Sequence, residues 1–178
     1  VDPSSREHMG LTAERLANQY KISRQAQDEF ALSSHLKWAA AEKRGAFAAE
    51  RIALKELALD EQARPDSSLE KLATLKPVFG RGEAATMTAA NSTPLTDGAS
   101  AVLLCSEDYA KERGWEVQAW FTAYETAAVD YVHGGEGLLM APAYAMPRML
   151  EREGLSLQDF DFYEIHEAFA SQVLATLK

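Results

Sequence analysis

The chain has 178 residues, enough for one ordinary domain or two small ones, and 47% of them are hydrophobic, so a sizeable core is within reach. Charged residues make up 25%, too evenly mixed for a disordered chain. The formal net charge of -9, from 27 acidic and 18 basic side chains, disfavours non-specific binding to nucleic acid or to an anionic membrane surface, while leaving room for an anionic small molecule at a local basic patch. One cysteine, Cys105, excludes an internal disulfide. No stretch approaches the length of a membrane span, and "VDPSSREHMG" has no apolar signal-peptide core.

Residues 11–45 read as two helices packed as a hairpin. Leu11, Leu16, Ala17 and Tyr20 give the first an apolar side, with Thr12 as its N-cap. Ser23 caps a longer second helix that turns Phe30, Leu36 and Ala40 inward. Lys43 and Arg44 occupy its last turn, and Gly45 stops it. Residues 46–87 are less regular. Pro65, Ser67 and Ser68 mark a turn, and "SLEKLATLKP" is a short helix capped by Ser68 and ended by Pro77.

The pattern changes at about residue 86. "ATMTAANSTPLTDGASAVLLCSED" runs from a predicted strand through a polar loop, where Asp97 and Gly98 make a turn. It then enters Ala101–Cys105, an apolar run bounded like a buried strand, in which Cys105 reads as an inert core thiol. Ser106 caps "EDYAKERG", which Gly114 closes. "VQAWFTAYETAA" is strand-like, "DYVHGGEGLLMAP" a glycine-containing loop, and "PAYAMPRMLEREG" a helix with Pro147 inside. "SLQD" is a capping box. In "DFDFYEIHEAFASQ" a strand-forming run ends in the titratable pair His166–Glu167 and hands over to an apolar helix. That junction is a common place for a site in an α/β protein. Helices to about residue 85, then alternating strands and helices, predict an α/β layered sheet, and both ends of the chain read as cut.

These motifs resemble the thiolase family. "HMGLTAERLANQYKISRQAQDEFALSSHLKW" looks like the helical start of its loop domain and "LATLKPVF" like that domain's end. "TAANSTPLTDGASAVLL" looks like the return into the N-terminal catalytic half. "FDFYEIHEAFASQ" looks like the Asn-Glu-Ala-Phe box, with His166 in the Asn position, as is typical of thiolases of fatty-acid oxidation complexes. "YVHGGEGLLMAPAYAMPRML" fits the same subgroup. Four motifs in order, over nearly the whole chain, make the resemblance specific. The family has a longer stretch between "AAERIAL" and "RPDSS", which places a deletion or break near residues 52–62.

The resemblance implies a layered αβαβα fold, incomplete here: a helical loop domain at 1–85, the end of the N-terminal catalytic half at 86–115 and the start of the C-terminal half at 116–178. It implies an acyltransferase that cleaves 3-ketoacyl-CoA with CoA, or runs the reverse Claisen condensation, through a cysteine acyl-enzyme. That cysteine matches nothing in the chain, and Cys105 is not it. His166 falls where the family supports the thioester oxyanion. Arg64 falls near the adenine end of CoA, Thr93 at the loop serine that touches pantetheine, with Pro94 replacing the usual glycine, and Phe79 on the pantetheine tunnel. His133 and Gly134 fall near the acyl pocket. CoA is a co-substrate; no permanently bound cofactor and no metal is implied. The implied partners are acyl-CoA, a second copy in a homodimer or tetramer, and a hydratase/dehydrogenase subunit, in a bacterial cytoplasm or a mitochondrial matrix. The alternative is a non-catalytic thiolase-like module that binds CoA or a partner.

Overall fold

The computed structural model describes residues 1–178. Six α-helices organise it: α1 Met9–Gln19, α2 Arg24–Lys43, α3 Leu69–Ala73, α4 Glu107–Arg113, α5 Pro142–Glu153 and α6 Ala170–Thr176. Short 3-10 turns at Leu138–Met140 and Leu157–Asp159 precede and follow α5. No helix is long and apolar enough to cross a membrane.

Serine caps start three helices as their sequences predict. The hydroxyls of Ser23, Ser68 and Ser106 accept from the amides of Ala26, Lys71 and Tyr109 and so satisfy donors that the first turn leaves free. Gly114 closes α4 in the left-handed region, at φ 64°. The Ser156–Asp159 capping box forms in both directions. α5 takes Pro142 in its first turn and carries Pro147 within. Thr12 is not a cap. α1 begins a turn earlier, with His8 as its N-cap, and Thr12 is buried inside it against Gly137.

α1 and α2 share α6 as a partner, so the pair closes on the end of the chain. Leu16, Ala17, Ile22, Met140 and Ala175 form one cluster. Ala13, Met87 and Phe169 form another, with Phe79 and Met9 packed on it. α2 does not turn in the residues its apolar pattern predicts. Phe30 is half-buried, while Leu36 and Ala40 are exposed. Gln27 and Asp28 are buried instead, because this face of α2 covers the polar segment 86–91. Gln27 Nε2 donates to Thr86 Oγ1 at 3.0 Å, and Asn91 Nδ2 donates to Asp28 Oδ1 at 3.1 Å. From α1, buried Glu14 accepts from the amides of Thr86 (2.8 Å) and Met87 (2.9 Å) and from the Thr86 hydroxyl (2.7 Å).

The predicted strands do not form. The segments at 101–105, 116–128 and 160–165 are without paired neighbours, and most of their side chains face solvent. Cys105 is exposed, not a core thiol. An apolar run becomes a strand only when another backbone lies about 4.8 Å away to complete the ladder. Residues 1–178 bring no such neighbour to these runs. The one β-bridge is antiparallel, between Ser92 and Phe169.

Candidate functional site

That bridge builds the site. Thr93 N–H donates to Ala168 C=O at 2.8 Å, and Ala170 N–H donates to Asn91 C=O at 3.1 Å. The two bonds lock the loop of the "TAANSTP" motif onto the His-Glu-Ala-Phe segment. Asn91 makes the loop rigid: its Oδ1 accepts from the Thr88 amide at 2.8 Å, and its Nδ2 donates to Thr86 C=O at 3.1 Å and to Asp28.

Beside the bridge lies a groove of about 260 Å³. α2 forms one wall with Phe30, Ser34, His35 and Trp38. Asp60, Gln62 and Ala63 form a second, and Asn91–Pro94 with Glu167 form the third. Ser34 Oγ–H donates to Glu167 Oε2 at 2.5 Å, across 133 positions of sequence. His35 Nδ1 accepts the backbone N–H of Arg64 at 3.2 Å. Burial, and then the charge of Arg64, hold the His35 imidazole below its ordinary pKa of 6.5, against the opposing pull of Glu167. The ring is therefore a neutral acceptor at neutral pH. The groove also presents the buried, unpaired hydroxyl of Ser92.

The structure brings some of the expected residues together and leaves others apart. Thr93 lines the groove. His166 is exposed, one residue from Glu167 on its rim. Arg64 reaches the rim through its backbone, while its guanidinium folds back onto the carbonyls of Glu61 and Ala63. Phe79 packs edge-on against Phe169, with ring centroids 6.1 Å apart, and leans on His8 at 5.1 Å. It therefore sits behind the His-Glu-Ala-Phe segment, outside the groove lining. His133 and Gly134 lie elsewhere, in a turn organised by Asp130. Asp130 Oδ1 accepts from the His133 amide at 3.0 Å and Asp130 C=O from the Gly134 amide at 2.9 Å. The first of these bonds leads in drawing the Asp130 carboxyl below its usual range. Only glycine fits at 134, since a Cβ there would overlap Asp130 C=O. Ser34, His35 and Trp38 are site residues that the sequence does not flag. They sit mid-helix, and no local pattern separates them from a solvated face.

The family model for the thiolase N-terminal domain matches residues 1–108, and that for the thiolase C-terminal domain matches residues 115–178. A probable 3-ketoacyl-CoA thiolase of Caenorhabditis elegans is 42% identical over 179 residues, covering 98% of this chain and 39% of the relative. A 3-ketoacyl-CoA thiolase of Vibrio cholerae is 43% identical over 176 residues, covering 96% and 40%. Among solved structures, the acetyl-CoA acetyltransferase of Bacillus anthracis superposes with a TM-score of 0.89 at 39% identity, over 98% of this chain and 45% of that one. Human mitochondrial 3-ketoacyl-CoA thiolase in complex with CoA gives 0.90 at 37% identity, over 99% and 44%.

These likenesses define the fold as a thiolase-like layered fold, incomplete here, with the helices in place and the sheet unpaired. The chain belongs to the thiolase family. It spans about 40% of the length of the curated relatives it matches.

Proposed function

We propose that the protein to which these residues belong is a 3-ketoacyl-CoA thiolase. It cleaves 3-ketoacyl-CoA with CoA, or runs the reverse condensation, through an acyl group carried on a cysteine outside residues 1–178. The observation that carries this reading is the docking of the His166–Phe169 segment onto the Asn91–Thr93 loop at the head of a groove. Two family motifs 75 positions apart (Thr93 to Ala168) meet there through backbone hydrogen bonds.

In this reading residues 1–85 are the loop domain, 86–115 the end of the N-terminal half and 116–178 the start of the C-terminal half. Thr93, on the groove wall, offers its hydroxyl to the pantetheine arm. Arg64, on the rim, swings its guanidinium from its own loop carbonyls to the nucleotide end of CoA, where phosphate pairing and stacking suit it. Phe79 backs the apolar tunnel. In this reading His166, exposed beside the groove-lining Glu167, donates to the thioester oxygen, directly or through a water, as negative charge develops on it. His133 and Gly134 belong to a loop that borders the acyl chain. The protein works as a homodimer or tetramer, with a hydratase/dehydrogenase subunit as a further partner, in a bacterial cytoplasm or a mitochondrial matrix.

Steady-state thiolysis of acetoacetyl-CoA by the intact protein tests the reading. His166→Ala is expected to lower kcat by about tenfold to a thousandfold, spanning the loss of a direct oxyanion donor and of a weaker water-mediated one. His166→Asn should restore part of it. Absence of thiolysis in the intact wild type, with CoA still bound, would favour the non-catalytic CoA-binding module. A wild-type kcat in the Ala variant would remove His166 from the reaction.

A further inference from the structure

Two consecutive residues of α2 reach opposite walls of the groove. Ser34 Oγ–H donates to Glu167, next to His166, and His35 Nδ1 accepts the amide of Arg64. Neither bond lies within α2: each joins one of its side chains to a segment distant in sequence. Both tie α2 to irregular backbone, at 60–64 and at 166–168, the second of which the bridge to the Asn91–Thr93 loop also holds. We propose that Ser34 and His35 are positioning residues that fix the two irregular walls of the groove from one rigid helix, Ser34 setting the His166 segment and His35 the Arg64 segment. The proposal rests on the thiolase reading for what each wall does.

The helix is a suitable anchor. α2 is 20 residues long, capped by Ser23 and pinned below the groove by Asp28 to Asn91 and by Arg24 to Leu72 C=O at 2.6 Å. A side chain on such a scaffold moves little, so the wall it holds moves little. The two bonds also differ in kind. The Ser34 hydroxyl does not titrate near neutrality. His35 accepts only while its Nδ1 is unprotonated. The charged groups that face it are the Arg64 guanidinium, the Glu167 carboxylate and, on the groove wall, Asp60. With its pKa held below 6.5, the imidazole keeps its acceptor at neutral pH and loses it as pH falls through that lowered value. The Arg64 wall is therefore acid-sensitive and the His166 wall is not, through these two bonds.

The experiment uses the intact protein, with acetoacetyl-CoA and CoA as substrates. His35→Leu is expected to raise the KM for CoA by about two- to tenfold, the range one neutral hydrogen bond commands, with kcat moving less than KM. Ser34→Ala is expected to do the opposite, lowering kcat by about two- to tenfold with KM moving less. The conservative pair guards against misfolding. Ser34→Thr keeps the donor and should retain kcat. His35→Gln keeps an acceptor and should retain KM at about pH 7.5, yet lose the rise in KM expected of the wild type as pH falls below 6.5 through the lowered His35 value. Amide hydrogen exchange at Arg64, read by NMR without substrate, should quicken by about two- to tenfold in His35→Leu. If the two non-conservative variants shift the same parameter, or the wild type and His35→Gln share one pH profile, the proposal is overturned. If the wild type binds no CoA, the thiolase reading fails by itself. Arg64 exchange then decides the clamp, and an unchanged rate in His35→Leu overturns it.

Discussion

Glu14 is the residue on which most of the buried polar structure turns. It is 6% exposed, and its carboxylate accepts three hydrogen bonds from Thr86 and Met87. Those two residues lead into Asn91 and so into the groove wall, which links a side chain on α1 to the placement of Thr93. Glu14→Ala would leave the buried amide of Met87 and the part-buried amide of Thr86 without acceptors, at roughly 1–3 kcal/mol for the buried one and less for the other. We expect a loss of about 3 kcal/mol in the intact protein, read as a fall in the urea midpoint. A midpoint unchanged within error would mean that water replaces the carboxylate. The residue scale also marks the limit of what the sequence discloses. Thr93, His166 and Glu167 lie in motifs whose order and spacing can be read. Glu14 and His35 have no such signal. Each looks like an ordinary solvated helix residue until a segment 72 or 29 positions away supplies its partner.

Helices follow from local chemistry, and strands do not. Ser23, Ser68, Ser106 and the Ser156–Asp159 box all cap as their sequences predict, because a cap needs only atoms within a few residues. The apolar runs at 101–105 and 160–165 have equally good local patterns and form nothing, because a strand is defined by its neighbour. α1 shows how an element position can depend on one distant ring. Gly10 sits directly under Phe79, and a Cβ there would overlap the ring. Phe79 in turn meets Phe169 of the bridge. Gly10→Ala, in the first turn of α1, gains less than the helix propensity of about 1 kcal/mol that an interior site would give, but forces the ring out, at about 1–3 kcal/mol. A net destabilisation of about 1 kcal/mol is expected, and Gly10→Ala combined with Phe79→Leu should be less destabilised than the sum of the two single changes. Strict additivity in urea unfolding would show that Phe79 already moves freely away from α1.

At the scale of the whole molecule, surface area decides what the unpaired segments mean. The 178 residues expose 13354 Å², and only 23 are buried. A compact monomer of 19.6 kDa exposes about 8,600 Å². Part of the excess lies on the extended runs, where Val102 is 83% exposed, Phe121 73% and Phe162 89%. Scattered exposed apolar side chains are ordinary, but continuous runs of this size are interaction surface or a cause of aggregation. The net charge of -9 opposes association only weakly at physiological salt, where charges are screened over about 8 Å. The 178-residue polypeptide on its own is therefore expected to bind a hydrophobic dye strongly and to self-associate as its concentration rises. Replacing Val102 and Phe121 together by Glu should reduce both effects, because it places charges on two separate runs while leaving the buried clusters around Leu16 and Met87 untouched. Light scattering and dye fluorescence on the two polypeptides test this. A monomeric, dye-dark wild-type polypeptide at micromolar concentration would mean that these runs find cover within the chain.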